Sequence, residues 1–430
     1  MIKKIKNIAT KIDNFFYKKF KSHKTTKPLE NIREAQEIFS YLNDEGQETK
    51  VRFVGGCVRK ALCGEIIDDI DLATSLTPEE VKKILFDRGV RVIDTGISHG
   101  TVTAILNDKK FEITTLRKDI STDGRHADVE FTLNWEEDAE RRDFTINAIY
   151  ADIEGRIFDP LNGVADLKKG IVKFIGKAEK RIQEDYLRIL RYFRFFTHYS
   201  EIDYEIAIIK IIKQYVNGLN SISKERIFDE LKKILKLKNL HNLFKQEMSK
   251  EIILNIFPQF KNYERLKILT NLQNKIRKLY DEELILALLI IDESNDNEYF
   301  SHKYKVSNAL NIRLANIKSN FENFKNKKFY SEENIKKLIY LSSKKKVLDL
   351  LLFSICLNNK SKVSNIENLI DFIKNCKIPI FPISGDDLKQ NGYKTGHELG
   401  AKLKSLELRW IEDNFVIDKK LAIKALSKIK

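Results

Sequence analysis

Apolar and polar positions change rhythm once along this chain. Between residues 51 and 175 short apolar runs alternate with polar residues at a period of two, the mark of half-buried strands. Beyond Glu179 the apolar positions recur at helical spacing and continue so to the end, broken by Pro258, Pro379 and Pro382. Val51, Phe53 and Val54 predict a strand that runs into Gly55 and Gly56, and Val58 to Leu62 predict a helical turn stopped at Gly64. Ile70 and Leu72 alternate with Asp69 and Asp71, so the apolar pair faces a core and the acids face the other way. A turn at Asn107-Asp108 precedes the alternating stretch Phe111-Glu112-Ile113-Thr114. Ile149 to Ile153 with Arg156 to Asp159 predict a second hairpin, and Ile171 to Ile175 a further strand. The expected fold is α+β: an extension at 1–27, a mixed α/β head at 28–176, a helical neck at 177–240, and a helical body and tail at 241–430.

The extension is rich in lysine, with Ile2, Ile5, Ile8, Ile12, Phe15 and Phe16 at roughly helical spacing. A basic amphipathic helix suits a membrane surface or RNA. Its basic residues are Lys rather than the Arg usual in mitochondrial presequences, so a flexible extension in a bacterial-type cytoplasm is the expectation and a presequence the minority alternative. No apolar run is long enough for export or membrane crossing, and no membrane association is expected.

Composition changes this picture modestly. At 430 residues two or more domains are expected, and a net charge of +15 suits a partner rich in phosphate. The chain is full of Lys, Asn and Ile, so charge alone has limited weight; Lys325 to Lys328 and Ser342 to Lys346 fit an RNA backbone or a solvated face. Cysteines at 57, 63, 356 and 376 have neither zinc spacing nor a secretory pattern, which predicts reduced thiols in a cytosolic protein.

The candidate chemistry lies in GGCVRKALCGEIIDDID at 55–71. Glycines without side chains let backbone N–H groups approach a phosphate. Two aspartates at i, i+2 on a strand share a face about 7 Å apart, a spacing that can hold one or two Mg²⁺ ions against a polyphosphate. Such a centre needs a third acid, and Glu112 is the candidate; the pattern fits an ordinary exposed strand glutamate equally well.

Four further blocks follow in order: RKDISTDGRHADVEF at 117–131, RRDFTINAIYAD at 141–152, EDYLRILRYFRF at 184–195 and ISKERIFDELKKIL at 222–235. With these five blocks the chain resembles the bacterial class II tRNA nucleotidyltransferases, the CCA-adding enzymes of the polymerase-beta-like nucleotidyltransferase superfamily, which also contains bacterial poly(A) polymerase. The resemblance implies a polymerase-beta-like head with a mixed sheet followed by an all-α neck, body and tail. It implies Mg²⁺ held by Asp69 and Asp71 with Glu112, and a triphosphate positioned by Gly55, Gly56, Arg59, Arg141 and Arg142. Guanidinium groups suit that task through bidentate hydrogen bonds. Asn147 would brace the ribose.

Asp185, Arg188, Arg191 and Arg194 recur every three residues, which on a helix forms a slowly drifting stripe. A surface Asp-Arg pair accounts for this spacing. By resemblance Asp185 and Arg188 instead act as a protein template, the carboxylate accepting from the exocyclic amine of C or A and the guanidinium donating to the ring nitrogen beside it. Arg191 and Arg194 would complete or stiffen the pocket.

The polar segment from Arg117 to Val129 corresponds to a flexible loop that favours full CCA addition, or to an ordinary connection. Near the C-terminus, Ile383 to Leu421 resembles the family's tail, read as helix, glycine-bearing turn, helix, with Thr395 where a proline is usual. None of the seven histidines precedes aspartate, which argues against an appended His-Asp phosphohydrolase domain. One departure stands in the first block: the acid that usually follows Gly-Gly-x-x-Arg is Lys60. The expected function is template-independent addition of CCA to tRNA from CTP and ATP, with tRNA as partner, no stable protein partner, and a cytoplasmic location. Poly(A) synthesis and partial CCA addition are the alternatives, and a non-catalytic RNA-binding protein a third.

Overall fold

The computed structural model describes residues 27–43, 49–96, 99–122, 127–357 and 366–418. The basic extension at 1–26 and the loop residues Asp123, Gly124, Arg125 and His126 lie outside them.

The strand rhythm of the first half becomes a seven-stranded mixed sheet in the order β3-β4-β5-β2-β1-β8-β9. These are β1 (Val51–Val54), β2 (Ile70–Thr74), β3 (Arg91–Gly96), β4 (Thr101–Leu106), β5 (Lys109–Thr115), β8 (Tyr150–Ala151) and β9 (Ile157–Phe158). The β4–β5 hairpin turns through Asn107 and Asp108, both at positive φ (48° and 64°), a turn whose twist matches its strands. β2 and β5 pair in parallel, with Ile70 opposite Phe111 and Asp71 opposite Glu112. The period-two alternation therefore buries Leu72, Phe111 and Ile113 and leaves the acids on the other face.

Two expectations are corrected. Arg117 to Val129 is not an open loop: β6 (Arg117–Thr122) and β7 (Ala127–Phe131) form a separate antiparallel ribbon. Ile171 to Ile175 is not a strand; Phe174 makes a single bridge to Phe144, and its ring packs 4.7 Å from the Phe144 ring and stacks at 5.5 Å on Tyr192. Its alternation reports aromatic anchoring rather than ladder pairing.

Helices α1 (Gly56–Leu62) and α2 (Trp135–Glu140) belong to the head region. The helical rhythm after Glu179 becomes α3 (Ala178–Glu184), α4 (Arg188–Tyr199) and α5 (Lys224–Leu235). α4 buries Ile189, Leu190, Tyr192, Phe193, Phe195 and Phe196, which leaves Arg188, Arg191 and Arg194 as a half-buried stripe.

Contacts divide the chain into two compact units between Ile256 and Phe257. The second is helical. Its helix Glu282–Ile290 is apolar nearly all round and buried, and Arg313 joins Asp281, Glu283 and the buried Asp349 at 2.8–2.9 Å. The tail folds as the sequence predicts: Gly385–Gln390, a turn with Gly392 and Gly396 at positive φ, then His397–Glu412, closed over Ile383, Leu388 and Leu406. No helix of the described residues is long and apolar enough to cross a membrane.

Candidate active site

β1 delivers the chain into Gly55, whose φ of 67° lies in the left-handed region. A Cβ there would stand 3.3 Å from the Asn147 carbonyl, and one on Gly56 would stand 3.7 Å from Asp71 Oδ2. The second glycine thus keeps the space over Asp71 open. Asp71 lies on β2, half-buried, while Asp69 sits one residue before the strand and is exposed, as is Glu112 on the parallel neighbour. Burial pushes the Asp71 carboxyl up to about 6; Glu112 and Asp69 push the same way, and Arg142 and Arg59 pull against them. Three acids are therefore drawn together with incomplete compensation.

Such a set of oxygen donors fits a hard divalent cation. Among the described residues no three His, Cys, Asp or Glu side chains close into a preformed metal cage. The acids form part of the wall of an open cavity of about 1010 Å³ that runs over the sheet face past Ile66, Ile93 and Lys110.

The arginines stand outside that cavity wall, and buried acids orient Arg141, Arg142, Arg191 and Arg194. Asp138 on α2 accepts from Arg141 Nε at 2.8 Å, from Arg142 Nη2 at 2.8 Å and from the Tyr150 hydroxyl at 2.7 Å. Burial opposes its charge, but the two guanidinium groups outweigh it and hold the carboxyl well below the usual range. Sequence reasoning missed Asp138, although its spacing of three and four residues from Arg141 and Arg142 is a helical signal.

Asp143 is the second organiser. Its Oδ1 accepts from Asn147 Nδ2 at 2.7 Å and its Oδ2 from Arg191 at 2.6–2.7 Å. Burial raises its carboxyl; Arg191, Asn147 and Arg188 overcome this and hold it at about 2. Asn147 Oδ1 in turn accepts from the buried Arg59, whose guanidinium lies 4.7 Å over the Phe195 ring on α4. A continuous chain thus runs from Arg59 through Asn147 and Asp143 to Arg191, joining the glycine block, the Arg-Arg-Asp block and the first long neck helix.

One placement differs from the sequence expectation. Asp185 does not share a helix with Arg188: α3 ends before it, its φ and ψ are extended (−154°, 105°), and α4 begins at Arg188. Asp185 Oδ1 caps the break by accepting from Leu187 N–H at 3.1 Å, and Oδ2 pairs with Arg226 on α5 at 2.7 Å. Arg188 pairs with Glu184 at 2.6 Å and donates to the Arg181 carbonyl at 2.9 Å. Arg194 pairs with the buried Glu230 of α5 and lies 4.0 Å over Phe195. Tyr186, inside the break, lies against Gly218, where a Cβ would fall 2.1 Å from its ring. Glu184, Arg226 and Glu230 lie within the blocks noted in the sequence but went unassigned; Arg226 and Glu230 have partners on another helix, which leave no periodic trace, whereas Glu184 meets Arg181 and Arg188 at spacings of three and four.

Cys57 donates to the Val54 and Asp71 carbonyls, and burial pushes its thiol up to about 11. It fills the space under the site as an inert group.

Residues 51–173 match the family described as "Poly A polymerase head domain", and residues 204–264 that described as "Probable RNA and SrmB- binding site of polymerase A". The chain is 35% identical over 389 residues to "CCA tRNA nucleotidyltransferase 1, mitochondrial" of Danio rerio, covering 88% of this chain and 87% of that protein. It is 36% identical over 310 residues to "CCA-adding enzyme" of Lactococcus lactis subsp. cremoris, covering 70% and 74%. Among solved structures, the Bacillus stearothermophilus CCA-adding enzyme in complex with CTP superposes with a TM-score of 0.67 at 25% identity, over 89% of this chain and 93% of that one. The Thermotoga maritima CCA-adding enzyme complexed with tRNA shares the fold at a TM-score of 0.64 and 20% identity, over 95% and 99%.

Proposed function

Because this chain belongs to the family of CCA tRNA nucleotidyltransferases, the CCA-adding enzymes, we propose that the acids and arginines gathered around Gly55 and Asp71 are where it lengthens tRNA. The reaction is that of a class II member: template-independent addition of C, C and A to the 3′ end of tRNA from CTP and ATP, with release of pyrophosphate. The observation that carries the assignment of residues is the hydrogen-bonded chain from Arg59 to Arg191, which ties the metal acids' neighbours to the neck.

Family members generally work with a divalent metal, and in our reading it is Mg²⁺, held by Asp69 and Asp71 with Glu112. When bound, it lowers the pKa of the tRNA 3′ hydroxyl and screens the departing pyrophosphate. Gly55 and Gly56 leave room for phosphate against the backbone. Arg59, Arg141 and Arg142 position the triphosphate, and Asp138 holds the last two so that little rotamer freedom is lost when the nucleotide arrives.

Asp185 and Arg188 read the base. Arg226 and Glu184 hold them at the helix break with hydrogen-bonding capacity to spare, since a carboxylate has about four acceptor sites and a guanidinium five donors. Uracil and guanine would leave the base-facing hydrogen-bonding positions of both unsatisfied, at about 1–3 kcal/mol each. Arg191 and Arg194 stiffen the pocket from α4. The head at 28–176 then serves the nucleotide, the neck at 177–240 the base, and the body and tail at 241–430 the tRNA, by shape and backbone contacts.

We also infer a bacterial-type member acting in the cytoplasm. The Lactococcus lactis relative supports this, while the longer match to the mitochondrial protein of Danio rerio favours an organelle; the compartment of the tagged full chain in its own cell decides between them.

Purified protein given a tRNA ending at the discriminator base, CTP, ATP and Mg²⁺ should add three nucleotides and stop. A long adenylate tail, or arrest after two cytidylates, would overturn full CCA addition in favour of the poly(A) or partial reading.

A further inference from the structure

The loop from Gly64 to Asp69, between α1 and β2, carries the first of the two proposed metal acids, and side chains hold it at both ends. At its start Glu65 accepts from His198 Nε2 at 3.0 and 3.2 Å and from the Tyr199 hydroxyl at 3.4 Å, both on α4. Near its end the Lys60 ammonium on α1 sits on Asp68 Oδ1. That same oxygen accepts the backbone N–H of Asp69 at 3.1 Å. One carboxylate oxygen therefore stands between a fixed cation and the amide of the proposed ligand.

Lys60 is also where the sequence departs from the pattern it resembles, an acid being usual after Gly-Gly-x-x-Arg. An acid at 60 would repel Asp68 and add a further negative charge beside Asp69, Asp71 and Glu112. Lys60 instead pairs with Asp68, and the oxygen it meets is the one that accepts the Asp69 amide. The pair is partly exposed, at 26% and 65% of its side-chain surfaces, and such pairs add little to folding stability. What the pair can supply is geometry, because losing a support behind a metal ligand typically costs about 10–100-fold in metal affinity.

We propose that Lys60 and Asp68 form a clasp that positions Asp69 for the divalent metal, so that Lys60 is a positioning residue of this chain. The inference rests on the proposed function for the role of Asp69.

The test uses the full chain with Lys60→Met, which removes the charge, and Lys60→Arg, which keeps it. Mn²⁺ binding is read by the electron paramagnetic resonance of free Mn²⁺ in the presence of CTP and without tRNA. Lys60→Met should weaken Mn²⁺ binding roughly tenfold and Lys60→Arg by less than about twofold. The Mg²⁺ needed for half-maximal CCA addition should rise in parallel, with the KM for tRNA unchanged and the melting temperature within about 2 °C of the parent. Mn²⁺ binding by Lys60→Met equal to the parent's, or an equal loss in Lys60→Arg, overturns the clasp. If the parent adds nothing to tRNA yet Lys60→Met still loses Mn²⁺, the functional reading fails and the clasp stands.

Discussion

Asp71 carries charge against the preference of its surroundings. With its carboxyl raised to about 6 against a reference of 3.8, the metal-free fold binds a proton there that the unfolded chain has released between those values. Ionised Asp71 therefore costs stability above pH 6, and below about pH 4 the cost disappears. Asp71→Asn should make the metal-free protein, in chelator at pH 7, more stable by about 1–3 kcal/mol while abolishing nucleotide addition; chemical denaturation and the tRNA assay check the two halves. A loss of stability would show that neither burial nor the neighbouring acids disfavour the Asp71 charge.

Arg188 tests the reading of bases. Arg181 continues to satisfy Glu184 when Arg188 is removed, so the helix break keeps a partner. Arg188→Ala should reduce discrimination against UTP and GTP roughly tenfold or more, with a much smaller change in tRNA affinity. Competition between nucleotides measures this, and unchanged discrimination removes the templating role.

At the scale of elements, the joint between the Arg-Arg-Asp block and α4 depends on one acid. Asp143 is held at about 2, so its contribution is present above about pH 4 and is lost as pH falls towards 2. Asp143→Asn should remove about 2 kcal/mol of stability at pH 7 and leave a shallower acid limb between those values, measured by denaturation across pH 2 to pH 5. An acid limb unchanged by the substitution would show that Arg191 gains nothing from this partner.

The strands around the site were legible because their alternation is dictated by one buried face: Leu72 and Ile113 inward, Asp71 and Glu112 outward. The glycine turn and the Asn107-Asp108 hairpin were legible because few residues tolerate those backbone angles. The break at Asp185 was not, since spacing by threes persists through a three-residue interruption. Arg226 stayed hidden for a related reason: its importance comes from Asp185 meeting it in space, and one-dimensional periodicity records only the element to which a residue belongs. Asp138 did leave a trace, its spacing of three and four from Arg141 and Arg142.

For the whole molecule the net charge of +15 suits a phosphate-rich partner. If body and tail hold tRNA through its phosphates, the KM for tRNA should rise steeply, by at least tenfold, between about 50 and 200 mM salt, while the KM for CTP moves much less. Steady-state kinetics at several salt concentrations would show this, and parallel slopes for both substrates would move the basic surface's role to the nucleotide.

Gly218 touches neither metal nor triphosphate in the scheme above, yet it is the socket in which Tyr186 rests. A methyl group there must push the aromatic ring, and with it the three-residue break that carries Asp185. Gly218→Ala is thus expected to leave the fold standing and to corrupt the product, giving transcripts with miswritten termini detectable by sequencing tRNA ends. A missense change at a position with no chemistry of its own would surface in the cell as an error of translation.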